Sequence, residues 1–90
     1  MQVNIFTPNF DIFQQKERNM TTTELVSKRI AEARKNAKYT QQQVANILNI
    51  HLSQWQKYEY AKIQLDYDKM ITICKLFEVS ADYLLGLSNI

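Results

Sequence analysis

The stretch TQQQVANILNIHLSQWQKYEYAK, residues 40–62, decides the fold because it contains two short helical patterns separated by a turn. Thr40 and Gln43 have the spacing of a capping box, which predicts the start of a helix. Asn49 tolerates a left-handed backbone conformation better than most residues, so it can end this helix in place of glycine. A second helix is expected over residues 52–60.

The second of these helices has two chemically different faces. At about 100° per residue, Trp55 and Tyr58 fall close together, as buried side chains should. Two helices joined by so short a turn have the helix-turn-helix geometry, in which the second helix enters the major groove of DNA. Amide, hydroxyl, ammonium and aliphatic groups can all contact base edges there. The opposite arc of the helix, predicted to contact bases, carries all four types: Leu52, Ser53, Gln56 and Lys57.

The remaining sequence also has helical start and stop signals. Thr21 and Glu24 form a second possible capping box, and another helix is expected to begin near Asp66. Ser80 precedes the final helical turn, ADYLLG, which Gly86 ends. Glycine and proline occur once each, which favours helices joined by short polar turns. The predicted fold is therefore all-α, a compact bundle of about five short helices with an apolar N-terminal extension.

The first twenty residues differ from the rest and are assigned to a separate extension, 1–20, in front of the helix-turn-helix domain, 21–90. Thr7 and Pro8 could cap and begin a helix within the extension. Met20 is an in-frame methionine, so the extension looks like an addition to a complete domain. Its side chains are too apolar for a tail that contacts only solvent, so it either covers the core or pairs with a second subunit. The apolar residues are Val3, Ile5, Phe6, Phe10, Ile12 and Phe13.

Composition and charge limit the class of protein. The chain has 90 residues, 46% apolar and 22% charged, which suits one small globular domain. No apolar run approaches the roughly 18 residues needed to span a membrane, and no signal peptide is recognisable. Cys74 is the only cysteine, which excludes an intramolecular disulfide and favours a cytoplasmic location. We interpret it as a small hydrophobic residue of the core rather than a reactive thiol.

The net charge of +2 is unevenly distributed. Residues 24–62 carry seven Lys or Arg against three Glu, whereas residues 63–90 carry two Lys against four acidic residues. A basic central segment is compatible with a polyanionic partner, although a solvated helix surface often has the same composition.

Catalysis has little support in the sequence. With one His, one Cys and no cluster of carboxylates, neither a nucleophile–base pair nor a metal site is recognisable. We therefore expect no enzyme activity, no catalytic residue, no metal and no cofactor.

The stretch 40–62 resembles the Cro/CI-type helix-turn-helix of the XRE family, the lambda-repressor-like DNA-binding domains. The resemblance extends upstream into RIAEARKNAKYTQ and downstream into FEVSADYLLG, and covers about residues 24–87. The sequence departs from the family pattern at Asn49, His51, Trp55 and Ala61, where glycine, Ser or Thr, an aliphatic residue and glycine are usual. The matching positions are Thr40, Gln41, Val44, Ala45, Leu48, Ile50, Tyr58 and Glu59.

The resemblance implies a role for several positions. Arg34 and Glu59 match the ion pair that joins the first helix to the end of the third. Gln41 would contact the DNA backbone, and Leu52, Ser53, Gln56 and Lys57 would face the bases, with His51 at the edge of the groove. From side-chain chemistry alone, the remaining candidates for backbone contacts are Gln42, Lys38 and Lys62, although solvation of each lysine is nearly as good an interpretation.

Two hypotheses follow from the sequence. The first is a sequence-specific regulator of transcription, a repressor that binds double-stranded DNA as a homodimer on an inverted repeat. The second is a protein-interaction module of the same fold, an antitoxin, antirepressor or bridging subunit, that uses the N-terminal extension to dock a protein partner.

Overall fold

The computed structural model describes residues 19–90, and this part of the chain is built from helices without strands. The predicted all-α bundle of about five helices is confirmed. The N-terminal extension, with its predicted helix at Thr7 and Pro8, lies outside the described residues except for its last two positions. The helices are α1 (Thr22–Asn36), α2 (Gln41–Leu48), α3 (Leu52–Glu59), α4 (Tyr67–Phe77) and α5 (Ala81–Leu85).

The start of α2 has the capping chemistry that its sequence predicts. The Gln43 backbone N–H donates to the Thr40 hydroxyl at 3.1 Å, and the Thr40 N–H donates to the Gln43 side chain at 2.8 Å. Thr21 and Glu24 form the same reciprocal pair before α1. These bonds use backbone donors that have no partner within a helix, so they fix where each helix begins.

Each of the five helices is followed by a residue with positive φ. These turns return the next backbone N–H to a carbonyl five residues earlier, as when Ile50 donates to Ala45 at 3.0 Å. Asn49 and Gly86 were predicted to adopt this conformation. The other three were not predicted, because none of them is a residue type that favours it. The φ values are 70° at Lys38, 58° at Asn49, 60° at Ala61, 58° at Glu78 and 84° at Gly86.

Every helix contributes at least one completely buried side chain to the core. Trp55 of α3 is at its centre and packs edge-on against Tyr58 and Phe77, with ring centroids 6.0 and 6.4 Å apart. Helix α1 contacts α3, α4 and α5, so it connects the two ends of the bundle. The six residues with no exposed surface are Ile30, Val44, Ala45, Trp55, Ile73 and Leu84.

Arg29 of α1 connects this helix to α5. Its guanidinium is buried, donates to the backbone carbonyls of Tyr83 and Ser88, and lies 4.4 Å from the centre of the Tyr83 ring. A buried guanidinium is stable only with several acceptors, and these carbonyls provide them. Sequence reasoning missed this contact because the partners lie far away in the chain.

Candidate nucleic-acid interface

The turn between α2 and α3 is set by the backbone. Asn49 adopts the left-handed conformation, with φ 58° and ψ 47°. The N–H of Asn49 donates to Asn46 and that of Ile50 to Ala45, which closes the end of α2. His51 then stands at the cap position of α3 with an extended backbone, but its side chain makes no capping bond. Three residues thus connect two helices that pack against each other.

The outward side of α3 is open. We call Leu52, Ser53, Gln56 and Lys57 the polar strip. Residues three and four positions apart lie on the same side of a helix, so these four side chains share one face. Ser53 and Lys57 are exposed, and Leu52 and Gln56 are half-buried. All four side chains of the strip thus keep some exposed surface, whereas Trp55 and Tyr58 of the same helix are buried.

A buried carboxylate lies behind the polar strip. The Glu59 side chain is 3% exposed and that of Arg34 is 11% exposed. Arg34 donates twice to this carboxylate, from Nε at 2.6 Å and from Nη2 at 3.2 Å. Gln41 Nε2 and Trp55 Nε1 donate to it as well, at 2.9 and 2.6 Å. We call Arg34, Gln41, Trp55 and Glu59 the Glu59 cluster; it joins α1, α2 and α3.

Gln41 connects this cluster to the polar strip. Its Nε2 donates to Glu59, and its Oε1 accepts from Gln56 Nε2 at 3.1 Å. Both residues are half-buried. Two residues that the sequence assigned to different DNA contacts are thus hydrogen-bonded to each other across the two helices.

The remaining predicted contact residues surround this surface without bonding to it. Gln42 is exposed and donates to Asn46 at 2.9 Å within α2. Lys38 and Lys62 are exposed and lie in the turns after α1 and α3. The three side chains are exposed to an external partner, but the structure does not bring them into a cluster.

Comparison with known proteins identifies the architecture. A family model described as a helix-turn-helix domain matches residues 27–90. The chain belongs to the helix-turn-helix domain family. The resemblance to Cro/CI-type domains, inferred from residues 40–62, is therefore confirmed. Membership of this family also agrees with the prediction that the chain is not an enzyme.

The curated relatives of this helix-turn-helix domain come from Bacillus subtilis (strain 168). The HTH-type transcriptional regulator ImmR is 41% identical over 61 residues, 68% of this chain and 48% of the relative. The uncharacterized HTH-type transcriptional regulators YqaE and YobD are 38% identical over 66 residues and 34% identical over 61 residues. These alignments cover 72% of the chain and 57% of YqaE, and 68% of the chain and 54% of YobD. The chain spans about half the length of these relatives.

Sequence reasoning missed two contacts that hold α3 in place. The first is the bond from the Trp55 indole to Glu59, although their spacing of four residues was available as a signal. The second is the bond from the buried Ser27 hydroxyl to the Tyr58 carbonyl at 2.6 Å. No sequence pattern pairs Ser27 with a residue 31 positions away. Together they fix the helix along its inner side and leave its outer side free.

The described residues form neither a metal site nor a membrane-spanning helix. No group of three or more His, Cys, Asp or Glu in residues 19–90 is placed to hold a metal ion. Over the same range, no helix is long and apolar enough to cross a bilayer.

Cys74 is half-buried, and burial raises the pKa of its thiol. A raised pKa reduces the thiolate fraction near neutral pH.

Proposed function

We propose that this helix-turn-helix domain binds double-stranded DNA in a sequence-specific manner and regulates transcription. The observation that carries the proposal is the division of α3 into a buried side, with Trp55 and Tyr58, and an open polar strip. The names of the relatives, which are HTH-type transcriptional regulators, support the same function. In this geometry α3 enters the major groove, and α2 crosses the DNA backbone.

The chemistry of the polar strip suits the edges of base pairs. Gln56 has both a donor and an acceptor for a base, and Lys57 can reach guanine acceptors or a phosphate. Ser53 can donate or accept, and Leu52 can contact a thymine methyl group. His51 borders the strip at the start of α3 and would lie at the edge of the groove.

Contacts with the DNA backbone would come from side chains beside the polar strip. Gln41 and Gln42 lie in the first turn of α2, where free backbone N–H groups and the helix dipole favour a phosphate. Lys38 and Lys62 are exposed in the flanking turns. Such contacts set affinity and register, whereas the polar strip supplies sequence preference.

The first experiment selects bound fragments from a random DNA pool and then measures binding by fluorescence anisotropy. We expect Gln56→Ala and Lys57→Ala each to weaken binding to the selected site by about 1–3 kcal/mol. Lys75→Ala, which removes an exposed lysine from α4, is the matched control and should leave affinity unchanged. Affinity for the selected site should also fall steeply as salt is raised. Full affinity in both polar-strip variants would remove this surface from the proposal.

We further propose that the protein acts as a homodimer and represses transcription. A dimer would place two copies of α3 about one helical turn apart on an inverted repeat. An apolar groove of about 270 Å³ supports a protein contact, because the exposed side chains of Ile63, Tyr67 and Leu85 line it. Repression needs only occupancy of a promoter site, which a small DNA-binding unit can provide. A promoter–reporter assay that shows activation would refute repression.

The role of the N-terminal extension is tested by the assembly state. We propose that residues 1–20 contribute to assembly, because their apolar side chains favour contact with a protein surface. Sedimentation equilibrium would compare the full chain with a chain that begins at Met20. A dimer that becomes a monomer supports the proposal, and an unchanged dimer contradicts it. If the shortened chain still binds the selected DNA, the extension is secondary to DNA recognition and a separate protein-interaction role gains support.

A further inference from the structure

We propose that the buried Glu59 carboxylate determines which base Gln56 recognises. Through Gln41, it fixes the direction of the hydrogen bond between the two glutamines and so favours adenine over guanine. This inference rests on the proposed function, DNA binding, and makes Glu59 a positioning residue that need not touch DNA.

The argument begins with the chemistry of Glu59. An ionised carboxylate accepts hydrogen bonds and cannot donate them. Any side chain that bonds to it must therefore turn a donor toward it. Gln41 does so with Nε2, at 2.9 Å from Glu59 Oε1. Arg34 and Trp55 hold the carboxylate in place from two other sides, with donor distances of 2.6 Å each.

The orientation of the Gln41 amide then determines the orientation of the Gln56 amide. Because the Gln41 nitrogen faces Glu59, its oxygen is the atom left to face Gln56. That oxygen accepts from Gln56 Nε2 at 3.1 Å. Gln56 has two N–H donors, of which one is now used by Gln41. It can offer a base its second N–H together with its carbonyl oxygen.

One donor beside one acceptor fits adenine. In the major groove, adenine presents the N7 acceptor next to the N6 amino donor, and guanine presents two acceptors, N7 and O6. If the hydrogen bond between the glutamines ran in the opposite direction, Gln56 would bond to Gln41 through its oxygen. It would then keep both N–H donors for the DNA, which is the pattern that guanine accepts. The direction imposed by Glu59 therefore selects between two purines.

The test reverses the direction of this bond. Gln41→Lys places an ammonium group, which only donates, between Glu59 and Gln56. It would bond to the carboxylate and to the Gln56 oxygen, which leaves the Gln56 N–H groups free. A lysine there can also attract a phosphate, but that effect is independent of sequence and cancels in a ratio of affinities. Asn46→Lys, which adds the same charge at an exposed position of α2, is the matched control.

The measurement is a ratio of affinities at one base pair. The base pair that Gln56 recognises is the one at which Gln56→Ala loses its preference. At this pair the unmodified chain should bind adenine about fivefold or more tightly than guanine. Gln41→Lys should bring the ratio to one or below, and Asn46→Lys should leave it unchanged. Gln41→Met, which removes the connection without adding charge, frees the Gln56 amide to turn either way and should lower the ratio without reversing it.

The outcomes separate this inference from the proposed function. If the unmodified chain selects no DNA site, the proposed function fails and the inference fails with it. If a site is selected but Gln56→Ala changes no base preference, only the inference is refuted. It is also refuted if the adenine-to-guanine affinity ratio in both Gln41→Lys and Gln41→Met equals that of the unmodified chain. Circular dichroism verifies that each variant is folded before its affinities are compared.

Discussion

The Arg34–Glu59 pair gives the sharpest prediction about stability. Glu59→Met would remove the acceptor of four hydrogen bonds, two from Arg34 and one each from Gln41 and Trp55. The guanidinium of Arg34 would then remain largely buried without its counter-charge. Leaving one partner of a buried pair in this state costs about 3–5 kcal/mol. For a small domain with a total stability of about 5–15 kcal/mol, this is a large fraction of the free energy of unfolding.

A double-mutant cycle isolates the pair itself. Arg34→Met would leave the Glu59 carboxylate buried with only Gln41 and Trp55 as donors, so we expect a loss of similar size. The double variant removes both charges, and it should lose less than the sum of the two single effects, with a coupling energy of about 2–3 kcal/mol. Thermal and urea unfolding followed by far-ultraviolet circular dichroism measures the three variants at the same pH and salt.

An exposed pair in the same chain provides the control. Lys69 and Asp66 also form an ion pair, with Nζ and Oδ2 2.9 Å apart, but both side chains are reached by solvent. Such pairs contribute little because water and salt screen them. Lys69→Met should therefore leave the unfolding midpoint almost unchanged. If the Arg34 and Glu59 effects add to within 0.5 kcal/mol, the reasoning about a shared buried charge is refuted.

The remaining predictions concern backbone strain and the cysteine. Ala61→Gly should raise the free energy of unfolding by about 0.5–1 kcal/mol, since relief of the left-handed conformation outweighs the extra freedom of glycine in the unfolded chain. Ala31→Gly, within α1, should lower the free energy of unfolding by about 1 kcal/mol. Urea titration measures both variants, and effects of the same sign would contradict this reasoning. Cys74 should react slowly with iodoacetamide at neutral pH and faster as pH rises, because burial raises its pKa and only the thiolate attacks. Mass spectrometry follows the alkylation. If Cys74 of the folded protein reacts at neutral pH as fast as in the protein unfolded by urea, this interpretation is contradicted.

Local chemistry made much of the fold predictable from sequence. Each capping box joins residues three positions apart, so the starts of α1 and α2 depend on contacts that the sequence displays directly. The two faces of α3 follow from its helical period, which places Trp55 and Tyr58 together. The same logic failed at Lys38, Ala61 and Glu78. There the requirement to turn the chain after a helix overrides the preference of the residue for a right-handed backbone.

The sequence by itself determined the helices, the turn at Asn49 and which side of α3 is polar, because each depends on neighbours within about one or two turns. Only the tertiary structure decided how the polar side chains are connected. Glu59 contacts Arg34 and Gln41 only when three helices pack together, since these two residues lie 25 and 18 positions before it in the sequence. Burial is the reason why these contacts matter. A carboxylate removed from water must receive its hydrogen bonds from protein donors, and it therefore determines how those donors are oriented.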